Sequence, residues 1–353
     1  MWVAVGLVVS SAVVAIITIS SGVTLADIGR LGYLSFALAA AASLARLPVQ
    51  NVRFRLIAGG LTGHSKPNLS GWALARTASE FVALSTPAMI GGEFVRAAWL
   101  SGKGVDGGKA LWVGYFEVIL DVYVGSALAL ISAWFALTRG AGVIALTIVL
   151  VVFVLVTGYS VFFVIPALRG IPKVPHKLFA LAAFFIGGEA AGRLEIVVQK
   201  GAETFSLAAA GMLRKDALPL ILKAAGLTVI QVLLSGAALW FVLIAAGLKI
   251  DPLSATLVAG GTSAIAAIPI TIGGSGLTEL TMQSYLSSVY GFSSWTAVVI
   301  WRIASFQVVL AATGIAFLLL VRRPLKGVRP EKRMGSPDQS LGKTHPEDIS
   351  AAT

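Results

Sequence analysis

The sequence contains no cysteine, and only 12% of its 353 residues are charged. The missing cysteine excludes disulfides and thiolate metal sites, and leaves the compartment open. Histidine is nearly as scarce. His64, His176 and His345 fall in expected loops or tail, without metal-ligand spacing. No nucleophile elbow, P-loop or paired-aspartate nucleotide site occurs, so no enzyme, metal or cofactor is expected. The shortage of charge excludes an ordinary soluble domain, in which about a quarter of residues are charged.

What fills the space is apolar. Hydrophobic residues make up 57% of the chain and the mean hydropathy is +0.89. Long apolar runs recur at 2–20, 31–45, 110–137, 141–168, 224–247 and 294–321. Each approaches the length that crosses a hydrocarbon core about 30 Å thick. The first run lacks a basic leader region and a small-residue cleavage site, so it reads as a retained helix. The fold class expected is an all-α polytopic membrane protein with about six full spans.

The net charge of +11 is concentrated beside those runs. Arg46, Arg53, Arg55, Lys66 and Arg76 follow the second run, Arg169, Lys173 and Lys177 the fourth, and Arg322, Arg323, Lys326, Arg329, Lys332 and Arg333 the last. The connections 21–30, 138–141 and 248–252 are short and nearly uncharged. The positive-inside rule places the basic groups and both termini in the cytoplasm, in a multi-pass cell-membrane protein. Charges that flank spans in this way give no footprint for nucleic acid. Residues 322–353 read as a disordered cytoplasmic tail, and the functional domain as 1–321.

Two hexapeptides interrupt the apolar pattern. PAMIGG begins at Pro87 and PITIGG at Pro269. Pro87 with Gly91 and Gly92, and Pro269 with Gly273, Gly274 and Gly276, would break a continuous helix. The first lies between cytoplasmic basic groups and the second between external connections. Each therefore reads as a re-entrant helical hairpin, and the two enter from opposite faces. A long span follows each. Such a pattern implies an inverted repeat, with halves about 1–137 and 141–321, and a substrate site near the midplane. Chance recurrence of Pro and Gly in membrane helices is the alternative.

Charged residues at membrane depth cost roughly 2.5–3.5 kcal/mol each and mark candidate function. Glu117 and Asp121 share one helix face and need a cation, a proton or a positive side chain nearby. Arg302 occupies nearly the equivalent place in the span after the second hairpin. A cluster joining Glu117 and Arg302 across the halves is the expectation, with a purely structural ion pair as the alternative. Glu93 and Arg96, and Glu279, stand just past the glycine pairs, where free N–H groups bind an anion or the carboxylates act as caps. Glu189 and Arg193 form a further i,i+4 pair, in a segment whose topology is open between 178 and 215.

TPAMIGGEFVRAAWL, YFEVILDVY and PITIGGSGLTE, with Arg302 in the final span, resemble the lysylphosphatidylglycerol synthase transmembrane-region family, also called the flippase-like domain. The resemblance covers nearly all of 1–321, without the soluble aminoacyl-transfer domain carried by the multiple peptide resistance factors. It implies translocation of an anionic or modified lipid, of phospholipid or polyprenyl-phosphate type, between leaflets. Ile119 and Leu120 replace an arginine region of the family pattern, which raises the demand for Arg96 or Arg302 beside the acidic pair. The substrate-binding residues expected are Arg96, Arg302, Glu93, Glu117, Asp121 and Glu279. Membrane lipids are the expected partners, and homo-oligomers are compatible with the sequence. A secondary transporter for a small polar solute is the alternative, and a membrane-embedded transferase the third.

Overall fold

The computed structural model describes residues 25–63, 69–86, 91–165, 188–212, 215–268 and 273–322, together with Ala12, Ile16, Ile19 and Arg169. Most of the first apolar run, Pro87, Pro269, the tail beyond 322 and the side chains of Glu189 and Arg193 lie outside them. Among the described residues every element is helical and none is a strand.

Four helices are long and apolar enough to cross a membrane: α5 (Gly107–Thr138), α6 (Gly142–Tyr159), α8 (Leu218–Ala245) and the run Trp295–Arg322. They correspond to the last four of the six expected runs. Only about a third of each is buried by protein, and residues such as Val143 and Phe153 point outward. An outward apolar surface is what lipid solvates, so the chain is a membrane protein. The last run is α11 (Trp295–Arg302), a π-helical turn (Ile303–Gln307) and α12 (Val308–Arg322).

The second expected run is the start of a longer element. After the short α1 (Leu25–Leu31), α2 extends over Tyr33–Thr62 and carries Pro48 and three arginines inside it. The proline gives up one backbone donor, yet the helix continues. It ends where Gly63 adopts a left-handed conformation that closes the last turn.

Two hairpins are present where the glycine pairs suggested them. α3 (Leu69–Leu84) turns back into α4 (Gly92–Ser101): Arg96 bonds to Ser79, and the Trp99 ring meets that of Trp72 at 4.9 Å. α9 (Pro252–Ala266) turns back into α10 (Leu277–Tyr290), with Thr262 donating to the Met282 sulfur. In both pairs later residues meet progressively earlier ones, which makes each pair antiparallel. α5 receives both hairpins. Its Gly114 backbone lies against Glu93, and its Ser132 bonds to Tyr285. Those two points are separated by about 27 Å along the helix axis.

α7 (Gly188–Met212) packs along α5, and a 3-10 turn (Lys215–Ala217) leads into α8. Three apolar clusters bind the bundle, the smallest of them joining Phe81 and Leu84 to Phe306 and Val309.

Candidate functional site

Glu117 is 1% exposed, about a third of the way along α5. Three guanidinium groups converge on it. Arg53 Nε lies 3.2 Å from its Oε1, and Arg76 Nε and Arg96 Nε lie 3.4 and 3.1 Å from its Oε2. Arg53 also holds Asp121 with both terminal nitrogens and donates to the Thr228 hydroxyl at 2.6 Å. Arg76 pairs with Glu80 at 2.8 Å, one turn further along α3. Arg96 donates to the Ser79 hydroxyl and to the Gly114 carbonyl.

Three cations and three carboxylates thus meet from α2, α3, α4 and α5. Their charges balance, and balance is what permits burial at this depth. Of these carboxylates Asp121 is the open one, its side chain 46% exposed.

A second cluster lies on the other hairpin. Arg302 Nε is 2.9 Å from Glu279 Oε1, and its Nη2 donates to the Gly273 carbonyl at 2.6 Å and to the Ser275 hydroxyl. The guanidinium also sits 4.0 Å from the Phe306 ring centroid, a cation–π distance. Arg302 is the last residue before the π turn, which lets Phe306 swing beneath it.

Glycine is required at the breaks. Gly91, Gly273, Gly274 and Gly276 all have positive φ. Gly92 has ordinary geometry, but a Cβ there would sit 2.7 Å from the Ser79 carbonyl. A Cβ on Gly273 would strike the Phe306 ring and come within 3.1 Å of the Leu84 carbonyl, so the two hairpin breaks abut.

The expectation of one cluster joining Glu117 to Arg302 needs correction. Arg302 pairs with Glu279 and Glu117 with Arg53, Arg76 and Arg96, because each hairpin exchanges charges with the span that follows it, Arg53 of α2 joining the first of these units. The polarity is exchanged between the units. In the first, the hairpin supplies arginine and the following span the carboxylate; in the second, the reverse holds. Glu93 and Glu279 act as caps, accepting from the Gly91 and Gly276 N–H groups at 3.0 and 2.7 Å.

Arg53, Arg76 and Glu80 were not among the expected site residues. The two arginines counted as cytoplasmic flanking charges, yet Arg53 is fully buried and Arg76 nearly so. The available clue was the i,i+4 spacing of Arg76 and Glu80 in an apolar helix.

A cavity of about 920 Å³ opens between α2, α7 and α8. Leu56, Leu207, Met212 and Leu220 line it, with Arg55, Lys109 and Asp216 at its polar part. Among the described residues no group of three His, Asp or Glu side chains is placed to hold a metal.

A comparison with curated proteins finds none that matches. A family model described as the lysylphosphatidylglycerol synthase transmembrane region matches residues 3–313. Nearly nine-tenths of the chain falls within that match, and the chain belongs to this family.

Proposed function

We propose that the protein moves a lipid headgroup between leaflets, past the meeting point of the two hairpins. The observation that carries this reading is the pair of buried, charge-balanced clusters on broken helices. Buried ionisable groups inside membrane spans ordinarily mark a pathway, and broken helices leave backbone free to bind cargo. Polar surface at both breaks would replace the water that a headgroup leaves, while its chains stay in lipid. The exchanged polarity of the two units supports an inverted-repeat core, cytoplasmic on the side of the arginine-rich ends.

The headgroup class follows from the groups left open. Arg55 and Lys109, set against the single carboxylate of Asp216, leave the cavity a net positive rim over an apolar lining, which suits a phosphate with its acyl chains. Asp121 offers a half-open carboxylate to an amine. An anionic phospholipid, with or without an amino substituent, satisfies both.

The test is a dithionite assay in phosphatidylcholine vesicles carrying fluorescent phosphatidylglycerol. Wild-type protein should expose the inner-leaflet probe to quenching. Asp121→Asn should slow that exposure at least about tenfold, the effect of about 1.4 kcal/mol. Vesicles with protein that quench no further than empty ones would remove the lipid reading. The burial of Glu117 and Arg302 away from the lipid face favours a second reading, transport of a small polar solute. Solute uptake without probe movement would put that reading first.

A further inference from the structure

α2 and α8 run antiparallel in close contact, and their register is fixed at two points. Leu220 lies against Gly60, and Thr228 accepts a hydrogen bond from Arg53. One turn back from Arg53 is Gln50, and one turn on from Thr228 is Gln231. The register therefore sets these two glutamines opposite each other on the same seam, 4% and 7% exposed.

Both carry a buried amide atom with no hydrogen-bond partner among the described residues: Gln50 Oε1 and Gln231 Nε2. The first accepts and the second donates. The orientation of Gln50 is not arbitrary. Its Nε2 faces Glu80 Oε1 at 3.5 Å, and turning the amide over would set two acceptors against each other. Its oxygen is thereby left facing away from Glu80. A third amide nitrogen without a partner among the described residues, Gln307 Nε2, stands on the π turn, which packs against both helices.

A buried amide atom left unpaired destabilises the fold, and two facing each other across one seam would add their costs. A buried water both donates and accepts, and typically makes about three hydrogen bonds to such groups. We infer that a structural water is bound between Gln50 and Gln231, accepting from Gln231 Nε2 and donating to Gln50 Oε1. This water extends the first ion cluster. From it the chain runs through Gln50 to Glu80, then to Arg76 and Glu117. The inference does not depend on whether the cargo is a lipid or a solute.

Two measurements test it. A high-resolution map of the wild-type protein in nanodiscs should show one water density within hydrogen-bond distance of both amides. Gln50 and Gln231 bonded directly to each other, or an empty dry gap, would overturn the inference. Thermal melts of Gln50→Leu, Gln231→Leu and the double variant supply the second measurement. Each single change should lower the melting temperature, and the double change should lower it no further than the worse single change. A single variant that melts higher than wild type, or strictly additive losses, would show that the amides share no water.

Discussion

Arg302 shows what a single buried charge requires of its surroundings. It neutralises Glu279, which is 1% exposed and has no other cation paired with it among the described residues. Removing one partner of such a pair costs about 3–5 kcal/mol, whereas removing both is often nearly neutral. Arg302→Met is therefore expected to melt well below wild type, and Arg302→Met with Glu279→Gln to recover most of the loss. Glutamine keeps an oxygen for the Gly276 N–H, so the cap survives. Equal melting of the single and double variants would show that Glu279 is not what Arg302 stabilises. The stable double variant is also the right protein in which to measure transport. Of the individual residues, Glu117, Asp121 and Arg302 were legible in the sequence because a charge inside an apolar run has few explanations. Arg53 and Arg76 were not. A charge near the end of an apolar run looks like a flank, and only the continuation of α2 through Pro48 carries Arg53 into the bundle. Nor does sequence spacing reveal which carboxylate an arginine chooses, since that choice depends on packing between helices.

Helix contacts here are made close by small residues and ended by caps, and both devices can be tested. A Cβ on Gly236 would meet the Thr256 Cα at 2.5 Å, so α8 approaches the α9 backbone through this glycine. Gly236→Ala should destabilise by about 1–3 kcal/mol through overpacking. Gly226→Ala, on the same helix with nothing within 4 Å of the new methyl group, should be neutral or up to about 1 kcal/mol more stable. The reverse order of melting temperatures would contradict the packing described. At the start of α9, Asp251 accepts from the Ser254 N–H at 2.9 Å. Hydrogen bonds from Ser254, side chain first and backbone second, hold the Asp251 carboxyl below the usual carboxylate range. Asp251→Ala should cost about 0.5–2 kcal/mol near neutral pH. Because the folded pKa is depressed, this contribution is complete above the ordinary aspartate pKa of about 3.9 and fades as pH falls through the folded value. The difference in melting between wild type and variant should stay level on mild acidification and shrink below about pH 4. A difference that widens in acid would rule out the cap. The hairpins were legible in the sequence, since Pro and paired Gly in an apolar run have a direct backbone meaning. The π turn after Arg302 was not, because no residue type encodes it.

At the scale of the whole molecule the arrangement turns on one relation between the hairpins. Their breaks abut at Gly273 and Leu84; α5 meets the first hairpin beside its break, at Gly114, and the body of the second at Ser132, about 27 Å further along its axis. The proposed inverted repeat accounts for this by having the two hairpins enter from opposite faces. The flanking charges made the same assignment, since Lys103 and Lys109 border the first hairpin and the connections around the second carry almost none. The absence of cysteine makes this directly measurable, because any introduced thiol is unique. Ser101, at the mouth of the first hairpin, and Ser288, at the end of α10, are both exposed. In intact cells a membrane-impermeant maleimide should label Ser288→Cys and leave Ser101→Cys untouched until the membrane is permeabilised. Labelling of both from one side would place the hairpins on the same face. The buried clusters would then lie at the ends of one vestibule, and a route from leaflet to leaflet between them would be lost.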